Sequence, residues 1–243
     1  MLSISLLIFL NNRLNIIQVL FGQYCLLCGA ASNENLCTPC YDSLPHPPLH
    51  SCIVCALPVA ESRVCGACLA NPPAFDRTVA ALSYAFPVDA LVHSLKYQAN
   101  LPMAPVLADL LVARIDKVSF PDFIVPMPLH SIKLRERGFN QTLEIARRVS
   151  KKCGISLLPG ACKRIKDTAS QAGLTWKERE KNIRGAFTCE IDVTGKHIAM
   201  LDDVMTTGAT LNELAKVLRK HGATRLSGWV VARTQPRVLP HDS

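Results

Sequence analysis

The sequence predicts an α/β protein whose larger part is a parallel sheet, preceded by a small cysteine-rich domain. Three observations predict it. Extended and helical segments alternate from Thr78 to Arg233, eight cysteines fall in four C-x-x-C pairs between positions 25 and 68, and proline-rich breaks set the two regions apart.

At the start, Leu2 to Leu10 is nearly continuous apolar, but Asn11, Asn12, Arg13 and Asn15 end the run at about half the ~20 residues a bilayer needs. No integral membrane insertion is expected. Positive charge before the run and a small-residue cleavage site after it, the marks of a signal peptide, are both missing. Leu10, Leu14, Ile17 and Phe21 fall at helical spacing, so residues 1–22 are expected as an apolar N-terminal helix or an extension.

The cysteines set the next element, residues 23–72. A C-x-x-C pair lets one metal be gripped from a tight turn, and a closed four-thiolate site leaves no open coordination position, so its role is folding rather than catalysis. Cys25, Cys28, Cys37 and Cys40 make one expected structural zinc site, and Cys52, Cys55, Cys65 and Cys68 a second, although a crossed pairing of the knuckles satisfies the same spacing. Disulfides and redox dithiols are the alternatives; a disulfide framework needs a secretory signal, and a cytoplasmic location is expected instead. Cys153, Cys162 and Cys189 lack metal spacing and read as buried or incidental thiols.

Leu44-Pro-His-Pro-Pro-Leu-His50 and Asn71-Pro-Pro-Ala74 cannot be regular helix, and the domain boundary is placed at the second. The main domain is then expected over 75–235, with 236–243 as a tail. Within it, Thr78 to Tyr84 reads as a strand, Val88 to Ile115 as one or two helices interrupted by Pro102 and Pro105, and Phe123 to Val125 as a buried strand. Thr142 to Val149 is helical, Gly185 to Thr188 extended, His197 to Leu201 a buried strand, Leu211 to Lys220 a helix and Gly228 to Arg233 a strand. Such alternation implies a parallel sheet covered on both faces, with ligands at the carboxyl ends of the strands.

Composition and charge narrow the function classes. In 243 residues, 49% hydrophobic and 19% charged, there is too much apolar surface for a disordered or collagen-like chain. The net charge of +8 is local: residues 1–75 carry Arg13 and Arg63 against Glu34, Asp42 and Glu61, whereas Lys133 to Arg184 carries 14 basic against 5 acidic residues. A concentrated positive field suits a polyphosphate, a nucleic acid or an acidic surface, with a plain solvated face as the bland alternative.

The chemistry concentrates in His197-Ile-Ala-Met-Leu-Asp-Asp-Val-Met-Thr-Thr-Gly-Ala-Thr210. A buried strand delivers Asp202 and Asp203, and a turn of hydroxyls and glycine feeds a helix with Leu211, Leu214, Ala215 and Leu218 on one stripe. Such a turn offers a phosphate backbone amides, the hydroxyls of Thr206, Thr207 and Thr210 and the positive end of the helix dipole, with Gly208 permitting close approach. Adjacent carboxylates can hold vicinal ribose hydroxyls and help to position Mg²⁺. A hydrophobic strand ending in Asp-Asp also fits a Walker B element, but the chain has no G-x-x-x-x-G-K-[ST] and no G-x-G-x-x-G before a helix. A structural reading, in which the acids cap and the threonines merely turn, is the remaining alternative.

Leu201-Asp-Asp-Val-Met-Thr-Thr-Gly-Ala-Thr210 resembles the signature of type I phosphoribosyltransferases, which use 5-phosphoribosyl 1-pyrophosphate (PRPP). Together with the cysteine knuckles, Val125-Pro-Met-Pro-Leu129, Arg135-Glu-Arg-Gly-Phe-Asn-Gln141 and the run from Arg164 through Thr168 to Gln171, it makes the chain resemble the ComF/GntX family from Cys25 to Arg233. The resemblance implies a double zinc ribbon followed by a phosphoribosyltransferase domain that binds Mg-PRPP and transfers phosphoribosyl to an amine or nucleobase acceptor. It implies Asp202 and Asp203 at the ribose hydroxyls and metal, and Thr206, Thr207, Gly208, Ala209 and Thr210 at the 5-phosphate. Pro128, Leu129 and His130 would wall the pyrophosphate loop, Arg135 and Arg137 would partner its charge, and Arg164 would lie in a closing loop, Lys163 to Gln171. Asp202, Asp203 and Arg164 form the expected catalytic set, and no residue stands out as a general base. Lys96 also resembles a recurrent family position, with a snorkelling helical lysine as the alternative.

A second function class comes from the same resemblance, which implies a role in DNA uptake. Here the basic window would hold a single-stranded backbone and the PRPP site would be regulatory or inactive. Phe139 and Trp176 are the only aromatics in that window, so such binding would rest mainly on charge.

Overall fold

The computed structural model describes residues 24–115, 120–167 and 182–235. The expected helix or extension over 1–22, Thr168 to Gln171, Trp176 and the tail 236–243 lie outside the described residues. The chain divides between residues 44 and 45 into two compact units.

In the first unit, the Cys25 amide donates to Ala30 O and the Gly29 amide to Cys25 O, closing a tight knuckle in which Gly29 takes φ +73°. The Leu26 amide donates to Asn35 O, and helix α1 (Thr38–Asp42) starts directly after Cys37 with Pro39 in its first turn. Proline suits that place because the first amides of a helix have no internal partner.

The second unit opens by repeating this pattern. The Cys52 amide donates to Leu57 O, the Ala56 amide to Cys52 O and the Ile53 amide to Arg63 O, while α2 (Gly66–Ala70) starts directly after Cys65. Ala56 at φ +58° stands where the first knuckle has Gly29. This is an internal duplication of about 27 residues that reads only weakly in the side chains, because the shared information is cysteine spacing and backbone path.

After the second knuckle come β1 (Arg77–Ser83), α3 (Val88–Gln98), α4 (Met103–Val112), β2 (Phe123–Pro126), α5 (Ser131–Arg137), α6 (Gln141–Cys153) and β3 (Ser156–Leu157). They are followed by β4 (Cys162–Arg164), β5 (Phe187–Cys189), β6 (His197–Met205), α7 (Ala209–Lys220) and β7 (Arg225–Arg233). Five strands form one sheet in the order β1-β7-β6-β2-β3, parallel at every pairing, while β4 and β5 make a separate antiparallel pair. Burial is almost unbroken along β6 and β7, the mark of a parallel sheet covered on both faces. Helices α4 and α6 pack on each other and on the sheet, and α7 packs on β6 and β5.

The second knuckle is anchored to the sheet through three successive carbonyls. The Thr78 amide donates to Ile53 O at 2.9 Å, the Thr78 hydroxyl to Val54 O at 2.6 Å and Arg233 Nε to Cys55 O at 2.8 Å. Two departures from the expected elements matter for the site. The strand expected to stop at Leu201 runs on to Met205, so Asp202 and Asp203 lie inside it, and the stretch holding Arg135 and Arg137 is a two-turn helix rather than open loop.

Candidate functional site

Each cysteine tetrad holds its sulfurs within 4.8 Å of one another, paired in sequential rather than crossed fashion. A tetrahedral Zn²⁺ with ~2.3 Å bonds sets its sulfurs about 3.8 Å apart. Cys28 and Cys37 sulfurs stand 3.7 Å apart and those of Cys55 and Cys65 3.6 Å apart, spacings that suit the ion. The Cys65 amide donates to Cys52 Sγ at 3.3 Å, the kind of contact that steadies a thiolate.

The second candidate centre is a cleft of about 510 Å³ at the carboxyl ends of β2 and β6. Its floor is the carboxylate pair of β6. Asp203 is almost fully engaged: Lys96 Nζ lies 2.8 Å from its Oδ2, Gln141 Nε2 donates to the same oxygen at 2.9 Å, and the Val204 amide donates to its Oδ1 at 2.7 Å. Burial works against the Lys96 charge, but the Asp203 carboxylate outweighs it and raises the ammonium pKa. Lys96 is therefore the counter-ion of the acidic strand and not a snorkelling surface lysine. Asp202 receives the Asp203 amide on Oδ1 at 2.9 Å. Its carboxyl is pushed up to about 7 by burial and then by the neighbouring Asp203 charge, with Lys96 and Arg164 pulling the other way.

The walls are built by local capping. Asn140 caps α6 by accepting from the Thr142 amide and donates through Nδ2 to Met127 O at 3.1 Å, and the Thr142 hydroxyl reaches the same carbonyl at 2.8 Å. This ties the end of β2 to the start of α6 and aims Gln141, the first residue of that helix, at Asp203. Arg137 in turn donates to Gln141 Oε1 and lies 5.5 Å from the centre of the Tyr97 ring. Pro128, Leu129, His130, Arg137, Arg164 and Thr210 line the cleft; Arg135 lies exposed on α5, outside the lining. Burial lowers the pKa of Arg164, opposed by Asp202 and Asp167.

Thr206, Thr207, Gly208 and Ala209 face a second cavity of about 660 Å³, walled by Cys55, Cys68 and Phe75. Gly208 takes φ +83° as the N-cap of α7, and Thr207 Oγ1 accepts from the Ala209 amide at 3.2 Å. The turn thus separates the two cavities, with Thr210 on the cleft side. Gln141 and Arg233 carry contacts that the residue-by-residue reading did not assign. Gln141 was reachable as the residue after a good N-cap, whereas nothing local marks Arg233.

Two four-thiolate zinc-binding centres on a chain whose parallel α/β sheet carries a cleft floored by a carboxylate pair define the class: a double zinc ribbon protein with an α/β domain. Residues 16–69 match the double zinc ribbon domain family. The chain is 34% identical over 220 residues to the DNA utilization protein YhgH of Salmonella typhimurium, covering 86% of this chain and 96% of that one. It is 34% identical over 178 residues to competence protein F of Haemophilus influenzae, covering 70% and 78% of the two chains. Among solved structures, a hypoxanthine-guanine phosphoribosyltransferase of Bacillus anthracis is similar at a TM-score of 0.34 and 14% identity, covering 56% of this chain and 71% of that one. The chain belongs to the family of YhgH and competence protein F. Among the described residues, no helix is long and apolar enough to cross a membrane.

Proposed function

We propose that the cleft binds Mg-PRPP and transfers its phosphoribosyl group to an amine or nucleobase acceptor. The observation that carries this reading is the buried carboxylate pair on β6: Asp203 is neutralised by Lys96, which leaves Asp202 to accept from ribose hydroxyls. The remaining parts are consistent in kind. Thr210 and the N-terminus of α7 offer dipole and hydroxyl to a 5-phosphate. Arg137 and Arg164 line the cleft and are the guanidinium groups available to charge developing on a pyrophosphate.

The donor set suits Mg²⁺ in the usual manner of one or two carboxylates plus substrate phosphates, with Asp202 as the protein's carboxylate. The ion, when bound with the donor, supplies neutralisation of the pyrophosphate. This chain's residues then do the rest: Asp202 orients the pentose, the guanidinium groups stabilise charge on the leaving pyrophosphate, and closure of the cleft limits hydrolysis by water.

A second reading, single-stranded DNA binding in uptake or utilisation, is supported by the basic window and by what the relatives are named for. Part of that charge is spent internally, since Asp109 pairs with Arg148 at 3.3 Å and Lys152 at 2.7 Å. A paired titration separates the readings. Saturable Mg-PRPP binding that changes little with salt favours the first, and DNA binding whose affinity falls steeply with salt, on the same sample, favours the second.

A further inference from the structure

Arg233 ends β7 and is 3% exposed. Its Nε donates to Cys55 O at 2.8 Å, and its Nη1 donates to Met205 O at 3.1 Å, to Thr234 O at 2.8 Å and to Thr206 O. Among the described residues no carboxylate pairs with it, and its Nε bond to Cys55 O sets the guanidinium beside a ligand residue of the second cysteine tetrad. A buried guanidinium needs an anionic partner. A four-thiolate zinc centre carries net negative charge and supplies one.

One planar fork is therefore held at one end by a ligand residue of the second zinc centre and at the other by the two carbonyls that open the turn to α7. Phe75, which follows the same knuckle, reinforces the link: a Cβ on Gly208 would stand 3.8 Å from its ring. Coupling between sites needs a contiguous path that both ends bias, and here it is a single side chain.

We infer that Arg233 is a positioning residue through which occupancy of the second zinc centre holds the Met205–Ala209 turn, so that losing that ion loosens the turn and weakens its hold on a phosphate. The affinity part rests on the donor-binding reading; the mechanical part does not.

The test is amide hydrogen exchange on the zinc-loaded full chain, with zinc release into a chromogenic chelator followed in parallel. Arg233→Lys keeps a charge but loses the fork. It is expected to speed exchange across Thr206–Asn212 by at least about tenfold and to speed release of one of the two ions, while Phe123–Pro126 stays protected. Wild-type exchange in the turn with wild-type release of both ions would overturn the inference. Should the variant lose the sheet as well, stepwise chelation of the wild type decides. Loosening of the turn as the ion leaves, before Phe123–Pro126 opens, supports the coupling, and a turn that stays protected until the sheet opens refutes it. Mg-PRPP calorimetry on the same samples keeps the two ideas apart: a wild type that binds no donor removes the donor reading, and the exchange data still decide the coupling.

Discussion

Lys96 Nζ lies 2.8 Å from Asp203 Oδ2, joining the last turn of α3 to the central strand of the sheet. Two adjacent carboxylates inside a buried strand are costly unless a cation is brought to them. Lys96 is that cation, and Gln141 completes the coordination of the same oxygen from α6.

Lys96→Met is therefore expected to destabilise the chain by about 2 to 3 kcal/mol, below the ~3–5 of a fully buried pair because the ammonium is 21% exposed. In an Asp203→Asn background the same substitution should cost much less. Urea unfolding of the four proteins in a double-mutant cycle checks this, and additive effects would remove the pairing.

The pH dependence follows from Asp202, whose carboxyl is raised to about 7 by burial and Asp203. An unfolded aspartate titrates near ~3.9, so between about pH 4 and 7 the folded state holds the extra proton and this group's contribution to stability falls as pH rises. Ligand binding runs the other way, because ribose hydroxyls need the ionised carboxylate. Mg-PRPP affinity is expected to rise about tenfold from pH 6 to pH 8, with Asp202→Asn removing that increment. Calorimetry at the two pH values, wild type against variant, reads it directly and controls for titration of the donor itself.

Gly208→Ala tests the turn. At φ +83° an L-residue is strained by about 1 kcal/mol, and the new Cβ would stand 2.6 Å from Met205 Cε, the flexible end of a side chain that can move aside. A stability loss of about 1 to 2 kcal/mol is expected, with weaker donor binding. Thermal unfolding and a PRPP titration measure the two effects separately.

The zinc centres predict two ions per chain. Cys55→Ser is expected to leave one ion, and to destabilise the α/β unit because loss of the ion frees the knuckle whose Cys55 carbonyl holds Arg233. Metal analysis against protein concentration, followed by thermal unfolding, gives both numbers; two retained ions at full stability would contradict a metal role for Cys55.

Much of this was legible in the sequence, and the exceptions share a cause. The metal-ligand character of the eight cysteines follows from spacing, while their sequential pairing needs the fold, and the long periodic segments such as Val88–Gln98 and Ala209–Lys220 follow from apolar repeats. The apolar pattern of the strand that starts at His197 stops at Leu201, whereas β6 runs on to Met205, and buried acids are rare; the cation that permits them comes from Lys96, more than a hundred residues away. Ser131–Arg137 has no element assigned from the sequence, because two turns carry too little periodicity to register. The anchoring of the second knuckle by Thr78 and Arg233 is a set of bonds to backbone carbonyls, and side-chain sequence encodes none of those acceptors.

The most direct test of the central claim is a calorimetric titration of Mg-PRPP into the zinc-loaded chain, run beside Asp202→Asn of matched zinc content. A saturable one-to-one isotherm for the wild type, weakened at least about tenfold in the variant, is the predicted result. A flat trace for the wild type, or equal affinities in the two proteins, would contradict it.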